Sequence, residues 1–206
     1  MTVLTTPGPT IYGDIRSGNC YKLKLLLELL GRPYQWEALD VLSGITQSPN
    51  FLALNPNGKI PLLRLDDGRV LAESNAILHF LAEGSDFLPT ERWDHAQVLQ
   101  WLFFEQYSHE PYIAVARFIR SFLGLPEARR AEYESRQAGG HKALAVMDQH
   151  LAKQDWLVGD GCSIADIALY AYTHVAHEGG FDLAGYPSVQ AWLDRIAALP
   201  GYVPMR

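Results

Sequence analysis

The chain has 206 residues, a mass of 23.0 kDa, 48% apolar and 19% charged residues, which suits one large globular domain or two small ones with a real core. A formal net charge of -6 and a pI near 5.6 argue against nucleic acid and anionic membrane as main partners, though not against an anionic ligand held in a local basic spot. The two cysteines, Cys20 and Cys162, form neither a disulfide framework nor a C-x-x-C pair, and the seven histidines lack H-E-x-x-H spacing, so no metal is expected. The first ten residues show no basic region followed by a long apolar run, and the longest apolar candidate, residues 23–30, is broken by Lys24 and Glu28. These features point to a cytoplasmic protein without a membrane partner.

In chain order, residues 10–12 read as a short strand and 13–19 as a turn. Leu23, Leu26, Leu27 and Leu30 recur at helical spacing, which predicts a helix over 20–30 ended by Gly31, with Pro33 beyond it. Residues 34–41 suit a second strand. The Gly-, Ser- and Pro-interrupted stretch 42–54 suits a short, irregular helix. Residues 60–65 and 69–72 read as an antiparallel pair around the Asp67-Gly68 turn. Ser74 then has the character of an N-cap for a helix carrying Ile77, Phe80 and Leu81. The order βαβαββα predicts an α/β layer with a mixed sheet.

Residues 84–92, with Gly84, Ser85 and Pro89, make the best linker, and after them the strand signal vanishes. Val98, Leu102 and Glu105 begin a long helix, continued past Pro111 by Phe118, Ile119 and Phe122. Leu144, Met147 and Leu151 mark a second, Ile164, Ile167, Ala171 and Val175 a third, and Val189, Trp192, Leu193 and Ile196 a fourth. The expected organisation is an α/β domain over 1–83 and an all-helical domain over 93–206.

Four local motifs stand in order along this layout. They are Y-G-D-I-R-S-G-N-C-Y-K-L at residues 12–23, N-P-N-G-K-I-P-L-L at 55–63, the pair Glu73-Ser74 opening a helix, and S-I-A-D at 163–166. With the length and the α/β-then-α plan, the chain resembles the cytosolic glutathione transferases, in their serine-type, theta- and zeta-like branch. The resemblance implies a thioredoxin-like N-terminal domain, a homodimer, and an enzyme of detoxification that conjugates glutathione, its co-substrate, to a small hydrophobic electrophile. It places Ser17 on the catalytic serine and Ile60-Pro61 on a hydrophobic residue followed by a cis-proline. Thr46 stands where the theta-like pattern often has a histidine. The run Ser17-Gly18-Asn19-Cys20 departs from the serine-serine-cysteine of the zeta-type isomerases.

Glutathione carries two carboxylates, one ammonium and one thiol, so its site needs backbone pairing, a helix N-terminus and a charge partner. Ile60, ahead of Pro61, can pair its backbone with the cysteinyl part. Ser74, at a helix start, can bind the γ-glutamyl carboxylate, with Glu73 near the ammonium. Lys59 is either a partner for the glycyl carboxylate or a solvated lysine. Ser17 is the first candidate to donate to the thiolate and Asn19 the second. Cys20, in the first helical turn, is read as a packed residue, with thiol-disulfide exchange as its rival role. Ser163 and Asp166 fit a structural capping box. Phe104, Tyr107, His109 and Tyr112 form an aromatic stretch with polar tips that would suit an electrophile pocket or a helical core. Glutathione-dependent isomerisation, thiol oxidoreduction and non-catalytic binding are the alternative functions on the same fold.

Overall fold

The computed structural model describes residues 8–205; residues 1–7, which the sequence reads as free of a targeting segment, and residue 206 lie outside the described residues. The chain divides into two compact units, one made of residues 8–83 and 200–205 and the other of residues 84–199. The strip 200–205, read from sequence as the end of the helical domain, therefore belongs with the first unit.

The first unit runs β1 (Thr10–Gly13), α1 (Gly18–Leu29), β2 (Gln35–Ala38), two short 3₁₀ turns (Val41–Ser43 and Ile45–Gln47), α2 (Pro49–Leu54), β3 (Leu62–Arg64), β4 (Val70–Ala72) and α3 (Ser74–Ala82). The sheet order is β2-β1-β3-β4. β1 pairs parallel to β2 through the α1 crossover, with Ile11 opposite Trp36, and antiparallel to β3, with Ile11 opposite Leu63. This is the expected βαβαββα order with a mixed sheet in a thioredoxin-like layout. α1 and α3 pack together; their Leu23, Leu26, Leu27, Ile77 and Leu78 are buried with Ile11, Leu62 and Leu63 of the sheet. Burial of each such side chain contributes about 1.5–3 kcal/mol. The strip 200–205 fastens onto α1. Tyr21 Oη donates to the Val203 carbonyl at 2.8 Å, and Met205 is buried.

The second unit contains α4 (Arg92–Phe104), a π-helical turn (Glu105–His109), α5 (Glu110–Arg117), a second π turn (Phe118–Phe122), α6 (Arg130–Leu151), α7 (Ile164–Thr173) and α8 (Pro187–Ala197). Pro111 sits in the first turn of α5, where a missing N–H does least damage. The π turn just ahead of it absorbs the misfit, so the long helix read from sequence is real but changes phase. Every residue of α7 is buried, as suits a helix enclosed on all sides. Close approaches need glycine on α6, since a Cβ at Gly139 would collide with the Tyr112 ring and one at Gly140 with Phe181.

The start of α7 is fixed by Asp166. Its Oδ2 accepts from Ser163 N and Ser163 Oγ, and its Oδ1 from Leu157 N and Trp192 Nε1, all at 2.9 Å. Ser163 caps the helix in return, so the two form a complete capping box. Burial pushes the Asp166 carboxyl above its ordinary value, and these hydrogen bonds pull it back only in part.

Candidate functional site

The loop between β1 and α1 is shaped by a nearly buried carboxylate. Asp14 accepts from Arg16 N at 2.9 Å, from the Arg16 guanidinium at 3.0 and 2.6 Å, and from Val41 N at 3.3 Å. Burial alone would raise its carboxyl, but the Arg16 and Val41 hydrogen bonds outweigh it and hold the group below the usual range. The Asp14 carbonyl takes Ser17 N at 2.9 Å, which sets the approach to α1. Ser17 is the N-cap residue by backbone, yet its hydroxyl does not cap the helix. Cys20 is fully buried, and that burial pushes its thiol up to about 12, only partly offset by Ser17. A thiol so placed is neutral near pH 7 and is no nucleophile.

Two helix starts meet through side chains. Ser74 is the first residue of α3 rather than its cap; Glu73 holds the cap position. The buried Ser74 hydroxyl donates to Asn19 Oδ1 at 3.2 Å. Lys22, on α1, is fully buried and its ammonium donates to Ser74 Oγ at 3.2 Å and Asn75 Oδ1 at 3.1 Å. Sequence reasoning missed Lys22 and Asn75, and nothing in a leucine-rich helix that carries both Lys22 and Lys24 marks the first of them as buried. Glu73 has φ 70° and ψ 112°, a left-handed-side conformation that costs a non-glycine residue about 1–3 kcal/mol and clusters at ligand sites. Its side chain is exposed.

The loop ahead of β3 is organised by Asn55, the buried first residue of the N-P-N-G-K-I-P-L-L motif. Asn55 Oδ1 accepts from Asn57 N at 3.1 Å and its amide donates to the Lys59 carbonyl at 2.8 Å. The Ile60–Pro61 peptide is cis. Pro61 is buried and Ile60 half-buried. Ile60 lies two residues ahead of β3, past the last ladder pairs of Leu62 with Tyr12 and Ala72. That places its backbone at the end of the sheet, where an extended ligand could continue the pairing. Lys59 is exposed, and Thr46 is buried.

The aromatic stretch of the helical unit separates into different surroundings. Phe104 packs edge-on against Trp101, with ring centroids 5.2 Å apart, and lines an open pocket of about 390 Å³ with Gln100, Val146 and His150. Tyr107 projects into solvent, 84% exposed. His109 is fully buried with Nε2 2.9 Å from Thr173 Oγ1. Tyr112 is half-buried against Gly139. The π turn over Glu105–His109 advances the helical phase between these residues, so spacing counted as α-helical does not keep them on one face.

Among the described residues no helix is long and apolar enough to cross a membrane, and no group of His, Cys, Asp and Glu is placed to hold a metal ion.

Comparison with known proteins joins these observations. The family "Glutathione S-transferase, N-terminal domain" matches residues 16–83, and "Glutathione S-transferase, C-terminal domain" matches residues 97–200. A crystal structure of a glutathione S-transferase from Pseudomonas fluorescens Pf-5 is 63% identical, with a TM-score of 0.94 over 96% of this chain and 98% of that one. Ure2p in complex with glutathione is 27% identical, with a TM-score of 0.85 over 95% and 96% of the two chains. The disulfide-bond oxidoreductase YfcG of Escherichia coli K12 is 32% identical over 88% of this chain and 87% of its own.

Proposed function

The chain belongs to the glutathione S-transferase family, and we propose that it is a cytoplasmic detoxifying transferase that joins the glutathione thiolate to a small hydrophobic electrophile. The observation that carries this reading is the hydrogen bond from Ser74 to Asn19, which couples the start of α3 to the start of α1. In the proposed complex the γ-glutamyl carboxylate lies at the α3 N-terminus, where the backbone N–H groups of Ser74 and the residues after it favour an anion. Glu73 faces the ammonium, Ile60 pairs with the cysteinyl backbone beside Pro61, and Lys59 reaches the glycyl carboxylate. The sulfur then lies at the start of α1. Asn19 is the principal donor to it, because the Ser74 hydroxyl holds its amide oxygen and leaves its NH₂ group to point elsewhere; Ser17 shapes the turn and assists.

A free thiol with a pKa near 8.5 is only a few per cent ionised at pH 7. A hydrogen bond to the charged sulfur supplies about 1.5–3 kcal/mol and the helix terminus about 0.3–1 kcal/mol. Together they are adequate to lower the pKa by about two units, at about 1.4 kcal/mol per unit, without a general base. The thiol proton passes to solvent, the sulfur lone pair forms the bond to the electrophilic carbon, the carbon–halogen bond of an aryl halide breaks with its electron pair leaving as halide, and no residue of the chain needs to act as a nucleophile.

The test is the pH-rate profile with an aryl halide and glutathione, after calorimetric titration with glutathione alone. Asn19→Ala should raise the bound thiol pKa by about two units and lower kcat at pH 7 about tenfold to a hundredfold. Ser17→Ala should move both less. A larger effect at Ser17 than at Asn19 would return the donor role to the serine. Absence of glutathione binding in the parent would remove the whole reading.

A second reading, reduction of disulfides by the same bound thiolate, has its support in the likeness to the disulfide-bond oxidoreductase YfcG. It would not run through Cys20, whose thiol is buried and neutral. Activity on a small disulfide that survives Cys20→Ser, without activity on any electrophile, would favour it.

A homodimer is part of the proposal. Trp93, Phe103 and Tyr107 leave aromatic surface exposed on and just beyond α4, at 70%, 70% and 84% exposure, which a partner subunit would cover in a two-fold dimer. Light scattering at micromolar concentration should give about twice the 23.0 kDa of one chain, and a mass of one chain would refute it.

A further inference from the structure

We propose that Lys22 is a positioning residue for the thiolate donor, setting through Ser74 which way round the Asn19 amide points. The inference rests on the glutathione reading above and adds a residue that reading does not use. Lys22 is fully buried, a costly place for an ammonium unless its hydrogen bonds are satisfied. Two of them go to Ser74 Oγ at 3.2 Å and Asn75 Oδ1 at 3.1 Å, and Ser74 passes one on to Asn19 Oδ1 at 3.2 Å.

The direction of this chain follows from what each group can do. An ammonium has three donors and no acceptor, so toward Lys22 the Ser74 oxygen can only accept. A serine hydroxyl has one proton, and the nearby positive charge favours turning that O–H dipole away from it, toward Asn19. The same charge draws the negative end of the Asn19 amide, its oxygen, to the Ser74 side. Both effects fix the Asn19 carbonyl toward Ser74 and turn its NH₂ group the other way. An asparagine is otherwise ambivalent, presenting an acceptor as readily as two donors. A thiolate needs the donors, so a flipped Asn19 would repel the ion it is meant to hold. The order Lys22 to Ser74 to Asn19 removes that ambivalence before glutathione arrives, which is preorganisation of a donor toward developing charge. Lys22 need not touch the sulfur to do this.

The test is a double-mutant cycle read as the pKa of the glutathione thiol bound to the enzyme, followed by thiolate absorbance against pH. Lys22→Met keeps the length of the side chain and removes its charge and donors. It should raise the bound thiol pKa by about one unit and lower kcat at pH 7 correspondingly. In an Asn19→Ala background the same change should leave the pKa where Asn19→Ala alone put it. If Lys22→Met does not fold, Ser74→Ala breaks the same chain at its middle, and its effect on the thiol pKa should vanish in the Asn19→Ala background in the same way. Additive shifts in the cycle, or a bound thiol pKa unmoved by Lys22→Met while Asn19→Ala raises it, would overturn the proposal. An unmoved pKa in Asn19→Ala itself would remove the donor that Lys22 is proposed to orient, and with it the proposal.

Discussion

Asp166→Ala should destabilise the helical unit by about 4 kcal/mol or more, the largest effect expected of any single substitution considered. The carboxylate accepts four hydrogen bonds from Ser163 N, Ser163 Oγ, Leu157 N and Trp192 Nε1. Removing it leaves those donors in the interior of the unit, and each buried unsatisfied group costs about 1–3 kcal/mol. The cost is reduced by whatever Asp166 itself loses through burial, the effect that raises its carboxyl. Ser163→Ala removes one cap and leaves the carboxylate, so its cost should be about 0.5–2 kcal/mol. In a chain of this size 1 kcal/mol moves Tm by about 2–4 °C, so thermal unfolding should separate the two variants by several degrees. Equal losses for both would mean that the box acts only as a helix cap and that the bonds to Leu157 and Trp192 add nothing.

Folding stability should fall as pH drops from 6.5 toward about 4, and His174 should account for much of the loss. Its ring stacks on Tyr170, with centroids 4.7 Å apart and planes 2° from parallel, and Nδ1 lies 2.8 Å from the Tyr170 carbonyl, which it donates to. Burial lowers its pKa to about 4; the Tyr170 carbonyl and Glu178 oppose that shift, and Arg117 and His177 add to it. A histidine kept neutral in the fold takes its proton in the unfolded chain first. The stabilisation is thus complete above pH 6.5 and disappears as pH falls through the folded value. A displacement of about 2.5 units, at about 1.4 kcal/mol each, sets an upper bound near 3.5 kcal/mol. Asp14, held low in the fold, adds loss on the same side, whereas Asp166, held high, opposes it. Urea unfolding of His174→Phe across this range should show a flatter pH dependence than the parent. The same slope in both would place the acid sensitivity elsewhere.

What could be read in advance from the residues was what depends on neighbours in sequence. The capping box is four consecutive residues with a fixed hydrogen-bond pattern, and α1 was visible in the spacing of its leucines. The cis-proline came through resemblance to a family rather than through any periodicity. Lys22 could not be read, because its partners lie 52 and 53 residues away and lysine is usually a surface residue. Tyr107 could not be placed, because a π turn alters the phase that spacing assumes. Ser74 was read as a cap because serine favours that position, but Glu73 occupies it in a conformation that serine-based reasoning does not anticipate. The place of Ser17 ahead of α1, with its hydroxyl off the helix end, likewise follows from how the Asp14 loop enters the helix, not from the order of the residues.

The fastening of residues 200–205 onto α1 bears on how the protein is made. The α/β unit consists of two stretches separated by the whole of residues 84–199. At a synthesis rate of about 5–20 residues per second, the second stretch emerges roughly ten seconds after the first. During that interval the nascent unit lacks the Val203 carbonyl that receives Tyr21 and the buried Met205 side chain. The helix that carries Asn19 and Lys22 is therefore completed only after translation has passed through the entire helical unit. The proposed glutathione site, in the first-made part of the chain, is thus completed among the last, and an alteration near residue 203 should be felt at α1.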